Sequence, residues 1–232
     1  MKQSLFLLLL FFTLAAYGQN KKFPPIDDLG KDSSLVKYVN LLKAAAAKKD
    51  VKFIQSQLDK AVVSSFDGEN TIKSFIDNWE LKSDSTKFWS YLSRALEIGG
   101  AYTNDPEDST HRYQVVFPYV YNYKPETDDD TYVLGFIVGE NVNLREKPDA
   151  KAKVKSHLSY DVISFQEVDD SNDMGAAKNA DGDPEWYLIK TYDNKLKGWV
   201  NWKFVYSLTG PRLFLFKDSS HRWRISSFVD GD

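Results

Sequence analysis

The sequence predicts an α+β protein in two parts: a helical N-terminal region completed by a C-terminal hairpin, with a small β module set between them. Three observations carry this. Apolar residues recur at helical spacing through the first hundred positions, then give way to short runs rich in β-branched and aromatic side chains. An acidic tether, PETDDDT at 125–131, marks the change. The chain has 232 residues, 42% hydrophobic and 27% charged, enough for one large core or two small ones and unlike a disordered segment.

The first stretch reads as an export signal. Lys2 supplies the positive end, residues 5–16 the apolar run, and Ala16-Tyr17-Gly18 the small residues before a cut ahead of Gln19. The apolar run is too short to serve as a lasting anchor across a hydrocarbon core about 30 Å thick. No Cys follows it, so lipid anchoring through a thiol is excluded. The mature chain is therefore expected in the periplasm or outside the cell, with no stable membrane insertion. The absence of Cys also removes disulfides, a Cys–His nucleophile and thiolate metal sites.

Residues 21–30, with Pro24-Pro25, read as an extended leader. Asp32, Ser33 and Ser34 can cap a first helix carrying Leu35, Val39, Leu42 and Ala46. Asp50 can cap a second with Phe53, Ile54 and Leu58. Ile72, Phe75, Ile76 and Trp79 make the clearest amphipathic stripe. Ser85 can cap a fourth helix holding Phe88, Trp89, Leu92 and Leu96, with Gly99-Gly100 as its stop. Aromatics at this spacing are first of all core residues. Residues 111–123 then read as one strand with Pro118 at an edge or bulge. Short strand signals recur over 132–208, interrupted by a polar loop at 169–183. After Gly210-Pro211 come RLFLFK and RWRISSFV, a hairpin that needs further cover. Pairing it with 111–123 makes residues 19–124 and 212–232 one domain, with 132–208 as the other.

Within that second domain, Val142-Asn143-Leu144-Arg145, Pro148, Val154 with Leu158, Trp186-Tyr187-Leu188-Ile189 and Gly198-Trp199-Val200 occur in order. This resembles the bacterial SH3-like (SH3b) family over roughly a third of the chain. The resemblance implies a small, strongly bent SH3-like β-barrel used for binding or targeting, often in exported cell-wall proteins. The family usually has Gly near Tyr160, and the 169–183 loop is longer than its usual hairpin. The helical part looks like uncharacterised regions that accompany such modules. Its helix-then-sheet order is also weakly similar to cone-shaped NTF2-like folds.

The residues point to binding more than to catalysis. His111, His157 and His221 lie far apart and lack a zinc signature. G-x-S-x-G and phosphate-loop motifs are absent. Acidic pairs such as Asp27-Asp28, Asp128 to Asp130 and Asp169-Asp170 fall in polar segments, where solvated charge is the ordinary reading. A calcium loop begun at Asp169 would place Met174 and Ala180 where Gly and Glu are required. No metal or other cofactor is implied. The net charge of −3 argues against a nucleic-acid partner.

What remains is aromatic surface, with six Trp and 13 Tyr. Flat rings stack on sugars or grip peptides at low entropic cost. Alternation makes Trp199 and one of Trp186 and Tyr187 core. Tyr160, Trp186, Trp202 and Tyr206 are the candidate ligand-binding residues, with Trp202 and Tyr206 nearest a strand end. The leading expectation is a non-enzymatic exported protein that recognises a cell-wall peptide or glycan. A protein–protein adaptor or inhibitor and an unfamiliar cell-wall hydrolase are the alternatives.

Overall fold

The computed structural model describes residues 22–26, 29–103, 112–123, 125, 130–167, 175–180 and 182–231. The export signal, His111, most of the acidic tether and residues 169–174 and 181 of the polar loop lie outside them.

Helix α1 (Ser33–Lys48) starts where the Asp32 carboxylate accepts the Ser34 and Leu35 N–H groups, and it buries Leu35, Tyr38, Val39, Leu42, Ala45 and Ala46. Asp50 caps α2 (Val51–Gln57) by accepting from Phe53 N–H. Leu58, expected on that helix, instead opens strand β1 (Leu58–Val63). Its backbone is drawn into parallel pairing with the C-terminal strand, and that pairing overrides the local spacing. Helix α3 (Ile72–Asn78) is capped by Thr71. Helix α4 (Phe88–Ile98) has Lys87, not Ser85, at its N-cap position, and the Thr86 hydroxyl oxygen just before it accepts the Phe88 N–H. It stops at Gly99, where φ is +97°.

Strands β2 (Ala101–Tyr102) and β3 (Val115–Phe117) follow. The single strand expected over 111–123 is thus cut short. Pro118 has no N–H for a ladder, and Tyr119–Asn122 turns into a short 3-10 helix. Next come β4 (Leu134–Ile137), β5 (Val142–Arg145), β6 (Val154–Leu158), β7 (Val162–Phe165), β8 (Ala176–Lys178), β9 (Pro184–Thr191), β10 (Lys197–Asn201) and β11 (Val205–Ser207). The chain ends in β12 (Arg212–Lys217) and β13 (Trp223–Val229). Strand β8 lies in what reads from sequence as an irregular loop; it is fastened to β9.

Two separate sheets result. The first has the order β1-β13-β12-β3-β2. Here β12 pairs antiparallel with β3, setting Leu213 against Phe117 and Leu215 against Val115, so the C-terminal hairpin does join the 111–123 segment. The four helices pack on this sheet around Phe75, Phe88, Leu92, Leu96, Ile225 and Phe228. Each such side chain stabilises the fold by about 1.5–3 kcal/mol through burial. Trp79 ties the layers by donating its ring N–H to the Phe228 carbonyl at 2.8 Å.

The second sheet runs β11-β4-β7-β9-β10-β5-β6, with β8 beside β9, and is inserted in sequence between β3 and β12. It wraps Ile137, Val142, Leu144, Leu158, Ile163, Phe165, Ile189, Val200 and Val205. Its end strands β11 and β6 do not pair, so the sheet is open and not the closed barrel that the resemblance implies. On β6, Lys155 and His157 point to solvent while Leu158 is buried, and a charged, short strand resists further pairing.

An apolar seam joins the sheets: Ala101, Tyr119 and Val120 from one side meet Phe136, Val162 and Tyr206 from the other. The extended leader lies along it. Phe23 N–H donates to the Tyr160 carbonyl at 2.7 Å, the hydroxyls of Tyr119 and Tyr123 donate to the Phe23 and Pro24 carbonyls, and Lys22 pairs with buried Asp161. Among the described residues, no helix is long and apolar enough to cross a membrane.

Candidate functional site

Where α4 meets β11, the two units leave a cleft of about 450 Å³. Its walls include Tyr91 and Arg94 from α4, Phe165 from β7, Tyr187 from β9, Tyr206 from β11, and Asp230 beyond β13. Tyr132, the 209–211 turn and Gly231 complete the rim.

Arg94 is the chemical centre. It leaves the helix beside the apolar stripe of Leu92, Ala95 and Leu96 and crosses to the second sheet. One terminal nitrogen donates to the Trp202 carbonyl at 2.6 Å and to the Val205 carbonyl. Its guanidinium carbon lies 4.4 Å from the Trp202 ring centre and 5.3 Å from that of Tyr206. Such cation–ring contacts hold a guanidinium in place when water is excluded. The Nε is buried with no hydrogen-bond partner, and Arg94 makes no ion pair among the described residues. Loss of water lowers its pKa; the tyrosines Tyr206, Tyr187 and Tyr91, and Glu97 on the same helix, oppose this through space. A guanidinium stays protonated under such pressure, so a cation is held in a poorly hydrated place with no ion-pair partner among the described residues.

Asp230 faces the same cleft from its exposed rim. Crowding by protein raises its carboxyl pKa, with the Gly231 N–H and Arg212 acting against the rise. The Tyr91 hydroxyl is also pushed up, first by burial and then by Asp230. Burial does the same to Tyr206, whose hydroxyl donates to the Pro211 carbonyl. Both hydroxyls are therefore neutral donors at any physiological pH. The cleft offers ring faces, a desolvated cation and one carboxylate, and among the described residues the cation and the carboxylate are not ion-paired.

The four residues expected from sequence fare differently. Trp202 is 39% exposed and stacks on Arg94, as a candidate on an open face should. Tyr206 also converges on Arg94 and lines the cleft, but it is only 6% exposed, so it is not the surface ring expected. The seam covers its ring and Pro211 takes its hydroxyl. Trp186 is 7% exposed and is not an open ligand platform. It faces away from the second sheet's core, in register with Ala177 of β8 on one side and Asn201 on the other. Tyr160 is half-buried and does not line the cleft; it sits in the turn under the leader, with φ +55°. It holds the left-handed geometry that Gly would adopt without strain.

The expectation that Trp199 is core is also overturned. Val200 is fully buried, while half-buried Trp199 sits on the other face, opposite Leu188. Of Trp186 and Tyr187, Tyr187 packs on the core. Arg94 and Asp230 went unnoticed in the sequence. An Arg within an apolar helical stripe is a faint signal, and Asp230 has none. His157 on β6 and His221 in the β12–β13 turn are exposed, and no cluster of His, Asp or Glu among the described residues could hold a metal ion.

Comparison with known proteins finds no matching family model, curated protein or solved structure.

Proposed function

We propose that this chain is an exported binding protein that recognises a peptide or glycan of the cell wall, acting in the periplasm or after secretion. The observation that carries the proposal is the poorly hydrated Arg94 guanidinium, stacked on two aromatic rings and without an ion-pair partner among the described residues, at the wall of a tyrosine-lined cleft. A buried charge without a partner is unfavourable in the empty protein, and an anionic group on a ligand relieves the cost. The tyrosines supply rigid faces for sugar or peptide carbon.

The second sheet supports an SH3-like module. Val142-Asn143-Leu144-Arg145 form β5, Trp186 to Ile189 lie on β9, and Gly198-Trp199-Val200 lie on β10. In this reading the open sheet is a variant of that module, with the helical unit supplying a wall that the module alone lacks. Among the described lining residues, Asp230 is the sole carboxylate, whereas glycoside hydrolysis generally employs two that face one another.

The test is retention of the purified protein on purified peptidoglycan at low and high salt. Retention that Arg94→Gln and Tyr132→Ala both weaken is expected. A wild-type protein that stays in the supernatant at both salt concentrations removes the cell-wall reading.

A further inference from the structure

We infer that the cleft takes a zwitterionic peptide end, with Arg94 receiving its carboxylate and Asp230 its ammonium group. This rests on the reading that the cleft is the ligand site, and goes beyond it by naming the chemistry that fits.

Arg94 spends one terminal nitrogen on the Trp202 and Val205 carbonyls, and both are neutral acceptors. They orient the guanidinium without cancelling its charge. Carboxylates are the natural planar partner of a guanidinium. A doubly charged phosphate fits less well, because Asp230 lies in the same lining and would repel it. The neighbouring cation Arg212 acts on Asp230 through space, while its hydrogen bonds go to the Thr209 and Gly210 carbonyls and it lies 5.1 Å from the Tyr121 ring centre. One unit of negative charge therefore matches Arg94, and a second would be repelled by Asp230.

Asp230 makes no ion pair among the described residues, although it lines the same cleft as Arg94. Opposite charges that share a cleft without meeting are complementary to a ligand that carries both signs. Tyr91 and Tyr187 line the same cleft and offer ring surface for the carbon atoms of such a ligand. The volume of about 450 Å³ suits a short peptide end and not a folded partner. Cell-wall peptide stems carry free carboxylates and free amines, and they are the source favoured here. The ends of ordinary L-peptides share the chemistry and are the comparison.

The experiment is calorimetric titration of the full protein with Lys-D-Ala, its C-terminal amide, its fully N-acetylated form, and Lys-L-Ala. Binding of Lys-D-Ala is expected, weakened about tenfold or more by amidation and measurably by acetylation. Asp230→Asn, on the exposed rim, should erase the difference between free and acetylated peptide without changing the effect of amidation. Arg94→Lys should weaken the free acid more than the amide; because Arg94 also packs the two units together, the ligand-side changes are read first. Preference for the D form upholds the cell-wall source, and preference for the L form overturns it. Equal binding of acid and amide, or no binding of any peptide while retention on peptidoglycan persists, overturns this inference alone. Loss of both peptide binding and retention overturns the reading beneath it.

Discussion

Gly198 gives a sharp test of why the second sheet is spelled as it is. A Cβ placed there would lie 2.6 Å from the Arg145 carbonyl oxygen and 3.0–3.1 Å from the Leu144 side chain. Both neighbours belong to β5, and Leu144 is fully buried. Ordinary contact begins at 3.4 Å, so Gly198→Ala must push β10 and β5 apart by about 0.8 Å or displace a core leucine. Gly198 does not have a positive φ, so the whole cost is steric. Overpacking of this kind costs about 2 kcal/mol. In a chain of this size that lowers the melting temperature by roughly 4–8 °C. The control is Gly30→Ala, where no atom lies within 4 Å; it should stay within about 0.5 kcal/mol of wild type. Urea and thermal unfolding followed by tryptophan fluorescence read both. Gly198→Ala unfolding together with wild type and the control would refute the close approach of these strands, and with it the reason offered for Gly before Trp199.

Two further expectations follow from buried and half-buried polar groups. Tyr38 on α1 is buried, and its hydroxyl has no hydrogen-bond partner among the described residues; burial raises its pKa while Arg224 acts weakly against this. Tyr38→Phe should therefore stabilise the protein by about 1 kcal/mol in urea unfolding, and a loss of that size would show that the hydroxyl is satisfied. In the β12–β13 turn, the Arg222 N–H, the Arg224 guanidinium and the Ser220 N–H hold the Asp218 carboxyl down at about 2. Because the folded pKa is depressed, the stabilisation is present above about pH 4 and is lost as pH falls toward 2. The stability gap between wild type and Asp218→Asn should shrink across that window, and a carboxyl titrating near 4 by NMR would contradict the hydrogen-bond set.

Local chemistry made much of this fold legible. Helix α1 announces itself because Asp32 can satisfy the first N–H groups and because Leu35, Val39 and Leu42 repeat at helical spacing, two signals that need no distant partner. Strands β5, β9 and β10 were visible through their apolar and aromatic runs. The site was only half legible: Trp202 and Tyr206 were singled out, but their common neighbour was not. Arg94 reaches a carbonyl 108 residues away, and no spacing rule spans such a distance.

The amino-acid order by itself determined the α+β class, the helix starts and the positions of most strands, because caps and periodicity act between residues a few places apart. Tertiary structure decided the rest. Which face of β9 and β10 meets the core depends on the strands that wrap around it, so Trp186 and Trp199 turned out opposite to Val200. Whether the second sheet closes depends on its two end strands meeting in space. Arg94 met the Trp202 and Tyr206 rings, lost water and came to line a cleft with Asp230 only because the inserted sheet folded against α4.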